Sequence, residues 1–259
     1  MFIGALLAFP ILYGLSMSLM SDALIASYPP KIIPVMPNLD NYYKVFETVP
    51  ILRFVINSLL VSVAVMLMQV LTSSLAAYGF VFFNFKYKKL LFMGVLATMM
   101  IPSEATLISN YLNVTALKML NSYPGLILPF AASAMGVFMM RQSYLTTPKE
   151  LKEAATVDGC GDLRFYATIL MPISMPAVGA LAIFTFINTW NQYMWPLLIT
   201  NSTDMRTVQI GISMLQFADG LSYGIIMAGF VVILVPSIAI FVLGQRRMVG
   251  GLTAGAVKG

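Results

Sequence analysis

The chain has 259 residues, of which 59% are hydrophobic and only 10% charged, with a formal net charge of +5. A soluble domain carries roughly a quarter of its residues as charges, so this composition calls for an apolar solvent, and the bilayer supplies one. Histidine is absent and Cys160 is the single cysteine. That excludes an internal disulfide, a His or multi-Cys metal site and His-based catalysis.

Taken in chain order, six apolar stretches fall at about 1–20, 54–80, 90–110, 123–141, 176–196 and 223–244, each near the ~20 residues a spanning helix needs. Together they predict an all-α, polytopic membrane protein of six transmembrane helices, forming one transmembrane domain over 1–259. The first stretch has no basic residue before it and no clear cleavage site, so it does not read as a signal peptide, and the natural chain is expected to start further upstream. Pro102 and Pro129 interrupt the third and fourth stretches, where neighbouring helices are expected to satisfy the freed carbonyls.

Between the first two stretches, Pro29, Pro30, Pro34, Pro37 and Pro50 predict extended or turning backbone. Asn38 opens a short amphipathic patch, Leu39 to Glu47, whose Tyr42 and Tyr43 suit a headgroup interface. Glu104 follows Pro102 and is expected to cap a broken helix. The segment from about 197 to 222, with Val208, Ile210, Ile212, Met214, Leu215 and Phe217, is too apolar for a free loop and reads as re-entrant or partner-facing.

Basic residues set the orientation. Lys86, Lys88, Lys89, Arg141, Lys149, Lys152, Arg164, Arg246, Arg247 and Lys258 fall on one side, against Lys31, Lys44, Arg53, Lys118 and Arg206 on the other. The excess predicts cytoplasmic N- and C-termini, and basic clusters beside spans point to topology rather than nucleic acid.

The most informative stretch is 147–172, on the predicted cytoplasmic side: TPKELKEAATVDGCGDLRFYATILMP. Thr147 is placed as N-cap, Pro148 at the first helical position, and Glu150 completes a capping box. A helix is predicted from 148 to about 157. Gly159 and Gly161 should break it, one of them in the left-handed conformation. Asp162 should cap a second short helix, which Pro172 ends or bends. Leu151, Ala155 and Ala154 share a small apolar face suited to docking.

Glu153-Ala154-Ala155, Gly159, Ile169 and Pro172 match the spacing of the EAA loop of ABC importer permeases, with Met171 in place of the usual Leu and Cys160 in place of a frequent Ala. Asn57-Ser58-Leu59-Leu60, Leu75-Ala76-Ala77-Tyr78, Asn188-Thr189-Trp190-Asn191 and the Gly250–Gly259 tail extend the likeness, so that nearly the whole chain resembles the maltose-type carbohydrate-uptake group. The resemblance implies a non-enzymatic permease subunit in the bacterial inner membrane, paired with a second related permease, a cytoplasmic ATPase dimer and an extracytoplasmic solute-binding protein. It implies that Glu153, Ala154, Ala155, Asp158, Gly159, Ile169 and Pro172 couple this chain to the ATPase, that the tail also contacts the ATPases, and that ATP and Mg belong to that partner. No Gly-rich phosphate loop with Lys and Ser/Thr exists here, so this chain itself carries no cofactor.

Asn188, Trp190, Asn191, Gln192 and Tyr193, with Trp195, admit two readings: an aromatic belt with interhelical hydrogen bonds, or a lining for the passage of sugar hydroxyls and ring faces. The resemblance also leaves open that the substrate site belongs to the other permease. A phosphorylated solute would need cations along the spans, and none is evident, which favours neutral sugars or oligosaccharides over glycerol phosphate. A secondary transporter is the rival class, but no inverted repeat is visible. A membrane enzyme lacks any catalytic constellation.

Overall fold

The computed structural model describes residues 2–218 and 222–253. Among them every regular element is helical. The helices are α1 (Phe2–Ser18), α2 (Asp22–Ile25), α3 (Asp40–Thr48), α4 (Ile51–Phe82), α5 (Lys88–Thr98), α6 (Ser103–Ala116), α7 (Tyr123–Ile127), α8 (Ala134–Leu145), α9 (Lys149–Val157), α10 (Asp162–Phe165), α11 (Met171–Ile173), α12 (Met175–Trp190), α13 (Met194–Ile199), α14 (Val208–Ala218) and α15 (Tyr223–Thr253).

Among the described residues two continuous helices are long and apolar enough to cross a membrane: α4, with 32 residues, and α15 over Tyr223–Ile240. Three bent pairs raise the number to five if each is one span, and α1 is a shorter apolar helix. The predicted third stretch is not one rod. α5 and α6 meet at 96° across a break at 99–102. Pro102 lacks an N–H and pushes Ile101 away from helical backbone, so the chain turns there. Glu104 lies exposed in the first turn of α6, favourable to its macrodipole, and accepts from Ser103 Oγ at 3.1 Å, with no side-chain cap bond formed.

Residues 1–60 and 190–239 form one compact unit, and 61–189 with 240–259 form a second. In the first unit, side chains remote in sequence finish the helix ends. Buried Asn41 donates through Nδ2 to the carbonyls of Ser18 (3.0 Å), the last residue of α1, and of Met20 (2.8 Å), just after it. The Asp22 carboxylate accepts from Ser222 Oγ and Gly224 N at the start of α15. Within the apolar 197–222 segment, α14 takes up 208–218 with Val208, Ile210 and Leu215 buried, so this part is not a free loop. Ser58 Oγ accepts the Val208 N–H at 2.9 Å, and Asn57 Nδ2 donates to the carbonyls of Asp204 (2.7 Å) and Arg206 (2.8 Å). Gly211 lies against the buried Phe54 ring, 2.5 Å from where a Cβ would stand. α3 confirms the amphipathic patch after Asn38, although Leu39, without a side-chain bond, is its N-cap.

The second unit explains how a helix broken near Pro129 survives in an apolar setting. A short 3-10 turn, Leu128–Phe130, follows α7, and Ser133 starts α8 by accepting from Gly136 N. The pair bends by 49°. The carbonyls at the break are taken up by α4: Gln69 Nε2 donates to Phe130 O at 2.8 Å and Thr72 Oγ1 to Ala131 O at 2.9 Å. Thr185 Oγ1 on α12 then donates to Gln69 Oε1 at 2.9 Å. In hydrocarbon such groups must be satisfied internally, and here they are. One turn along, Gly136 brings α8 so close to α4 that an added Cβ would stand 2.3 Å from Ser73 Oγ.

Candidate functional site

The predicted 147–172 loop folds within the second unit, as α9, a tight turn, α10, a π-helical turn over Tyr166–Leu170 and α11. The helix prediction of 148–157 is met within one residue. The capping box is not formed. α9 starts at Lys149 with Pro148 as N-cap and no side-chain cap bond, so Thr147 lies one residue outside that cap and is buried. Its hydroxyl is therefore not in register with the third helical N–H.

α9 ends as the two glycines suggested. Asp158 is the C-cap and Gly159 follows with φ +74°. Gly159 N donates to Thr156 O at 3.1 Å and Cys160 N to Ala155 O at 2.8 Å. These are the paired bonds of a Schellman ending, which needs a left-handed residue at that point. Gly161 is the extended N-cap of α10. Asp162 does not cap its own helix. Its carboxylate meets Lys152 Nζ at 2.5 Å, tying α10 back to α9. Lys152 also lies 4.7 Å from the Phe165 ring centroid. Burial alone would lower the Lys152 pKa, but the hydrogen bond to Asp162, Tyr78 and the Asp162 charge outweigh it and raise it above the usual value.

Of the docking face inferred from spacing, Leu151 and Ala154 are exposed and Ala155 is turned inward. Ala155 is buried among Tyr78, Met140, Tyr144, Phe165, Tyr166 and Leu170, because α9 rests on that cluster with the residue whose side chain is short enough to fit. The outward side carries Glu153, Ala154, Val157 and Asp158; Val157 is 86% exposed, and Leu163 in α10 is 75% exposed. Glu153 makes no ion pair among the described residues. Ile169, half-buried, packs on the same cluster from the π-helical turn. The helix holding Pro172 ends one residue after it, at Ile173. Pro172 lies exposed inside α11, and the 78° bend into α12 falls at Ser174.

Several residues that place the loop had no local signal as site residues. Tyr78 Oη donates to Asp162 O at 3.1 Å, and Ser74 Oγ and Tyr166 Oη are 2.6 Å apart, so two side chains of α4 hold α10 and the turn after it. The spacing of Ser74 and Tyr78, four apart on one helix face, was one available sign, and Tyr78 also closes the Leu75–Tyr78 stretch of the family likeness.

The second predicted group is divided between exposed and buried positions. In the second unit, Asn188 is exposed and donates to Phe184 O of its own helix at 2.8 Å. In the first unit, Trp190 and Trp195 are buried, Gln192 is half-buried and Tyr193 is exposed. Asn191 is exposed, and its Oδ1 accepts from Gln209 Nε2 at 3.2 Å. Of the Gly250–Gly259 tail, α15 includes the backbone to Thr253, and residues 254–259 lie outside the described part. Among the described residues no group of three or more Cys, Asp or Glu is placed to hold a metal.

Comparison with known proteins gives this arrangement a family. The chain is 32% identical over 265 residues to the arabinooligosaccharides transport system permease protein AraQ of Halalkalibacterium halodurans, covering 100% of this chain and 94% of that protein. It is 34% identical over 256 residues to the sn-glycerol-3-phosphate transport system permease protein UgpE of Rhizobium meliloti, covering 95% and 91%. The fold matches a chain of a bacterial ABC transporter involved in the import of the acidic polysaccharide alginate, with a TM-score of 0.84 at 20% identity, covering 95% of this chain and 92% of that one. Residues 69–249 match the family described as binding-protein-dependent transport system inner membrane component. With that match over more than half its length and relatives above 30% identity along nearly all of it, this chain belongs to the inner membrane components of binding-protein-dependent transport systems.

Proposed function

We propose that this chain is the permease subunit of an ATP-driven importer for a sugar or oligosaccharide, supplying half of the translocation pathway and receiving its drive through α9 and the turn at Gly159. The observation that carries this reading is the construction of the loop: an outward side of Glu153, Ala154 and Val157 on a short helix whose inner side, Ala155, is seated in an aromatic cluster. A helix mounted in that way transmits displacement instead of absorbing it. In this reading the spans are six, with α1 as the first and each bent pair as one. The basic residues at 86–89, 141–164 and 246–258 then face the cytoplasm, with both termini. The partners are a second related permease, an ATPase dimer holding ATP and Mg, and an extracytoplasmic solute-binding protein.

Alternating access follows. Closure of the ATPases moves α9; α10 follows through the Lys152–Asp162 pair; the bent spans shift between inward- and outward-open arrangements, and the binding protein delivers solute into the cavity. The test is reconstitution of the complex in vesicles with labelled arabinooligosaccharide, with and without ATP. ATP-dependent uptake that disappears without the binding protein supports the reading. Uptake that continues without ATP or an ATPase refutes it in favour of a secondary transporter.

Glycerol phosphate is the second reading, supported by the 34% identity to a glycerol-phosphate permease. A phosphate needs cationic donors. Arg53 already faces Asp204, 3.7 Å away. Competition between glycerol 3-phosphate and the oligosaccharide in the same vesicles decides between them.

A further inference from the structure

Residues 28–37, YPPKIIPVMP, lie between α2 and α3 and have no role in the reading above. The segment is apolar yet exposed: Tyr28 is 95% exposed, Ile33 77% and Met36 76%, with Ile32 and Val35 also exposed. Contiguous apolar exposure of this kind marks a surface that something covers.

Three observations identify the cover. First, the segment lies alongside the last turn of an apolar helix. Ser16 Oγ in α1 donates to Ile32 O, and Asn38 N donates to Leu19 O at 3.1 Å. α1 itself exposes large apolar side chains along its length, Leu7 and Leu12 among them, so the exposed apolar surface continues from this helix onto the segment. Second, Pro29, Pro30, Pro34 and Pro37 make four of the ten residues, and proline has no N–H to leave unsatisfied away from water. Third, the segment has no acidic residue, and its one charge is the exposed Lys31. A basic residue among apolar and aromatic ones fits a boundary with anionic headgroups.

We propose that residues 28–37 are an interfacial anchor, resting in the boundary between the lipid headgroups and acyl chains where α1 ends. Its occupant is the bilayer. Tyr28 and Lys31 lie at headgroup level, and Ile33 and Met36 dip into the acyl region.

The proposal rests on the membrane location of α1, so the experiment reads both. The assembled complex in nanodiscs carries a nitroxide on Ile33→Cys, Met36→Cys or, as membrane control, Leu7→Cys, each in a Cys160→Ala background. Complex with Cys160→Ala alone is the blank for thiols on other chains. Collision with oxygen, which partitions into lipid, is compared with collision with a water-soluble nickel chelate. The oxygen-to-nickel ratio at 33 and 36 is expected to exceed that of the same label free in buffer several-fold, as at 7. A nickel-accessible label at 33 and 36 with a lipid-like label at 7 overturns the anchor alone. Labels at 33 and 36 shielded from both reagents mean a protein partner covers the segment, and overturn it too. Nickel access at all three positions overturns the membrane placement of α1 and the anchor with it.

Discussion

Gly159 offers a graded test of the loop, because its cost is conformational and not steric. Its φ is +74°, yet nothing lies within 4 Å of where a Cβ would stand. A non-glycine L-residue in the left-handed region costs about 1–2 kcal/mol, while restricting the unfolded chain returns about 0.4–1 kcal/mol. Gly159→Ala should therefore weaken the Schellman turn by about 1 kcal/mol net, somewhat under tenfold in its population relative to an open turn. Asn tolerates this region, so Gly159→Asn should cost less; β-branched Gly159→Val should cost more. The assay is solute imported per ATP hydrolysed in vesicles, with co-purification of the ATPase as the check on assembly. The ratio should fall in the order Gly, Asn, Ala, Val, with the ATPase retained. A Val variant that imports at the native ratio would refute the turn's role in coupling.

Ala155→Leu should destabilise the protein by about 1–3 kcal/mol, since it overpacks a buried site, whereas the same change at exposed Ala154 should leave thermal unfolding unchanged and weaken ATPase retention. Gly136→Ala sets a Cβ 2.3 Å from Ser73 Oγ and 3.1 Å from Ser73 Cβ. It should lower the unfolding temperature in detergent, and Ser73→Ala should partly restore it, which a double-mutant cycle would read. Gln69→Leu leaves Phe130 O and Thr185 Oγ1 without their partner and should cost about 1–2 kcal/mol, measured by the same melt. The Lys152 pKa is raised, so its pairing stabilises the loop fully below the unfolded lysine value of about 10.4 and is lost as pH rises through the folded value. Asp162 is more than half exposed, so the effect is small. Proteolysis within 149–165 should quicken above about pH 10.4 in the native protein and show no such step in Lys152→Met.

Local chemistry made part of this structure legible from sequence. Hydropathy located the apolar stretches, Pro102 and Pro129 marked two of the breaks, and two glycines after an alanine-rich helix announced a left-handed ending. What escaped was whatever distant residues decide. Hydropathy reports length, not direction, so a 96° bend and a straight span look alike. α14 starts on a hydroxyl 150 residues away, Ser58, which no window around 208 contains. The capping-box pattern at 147–150 was outvoted by the one-residue shift that seats Thr147 in the interior. Helical spacing grouped Leu151 and Ala154 with Ala155 but is silent on which of them faces the protein. The aromatic cluster under Ala155, assembled from four separate helices and the π-helical turn, settles that.

The polar contacts at the broken α7–α8 pair have a consequence for how this unit tolerates change. Gln69 serves two helices at once, giving its amide hydrogen to Phe130 O and its amide oxygen to Thr185 Oγ1. Either neighbour pulled away alone strands one end of that amide in a medium with no water to replace it. The three segments are therefore obliged to travel together, and a rearrangement that parts them must admit solvent to this depth first. Hydration at Gln69 thus becomes a marker of state: dry while the segments move as one block, wet only when the block itself divides.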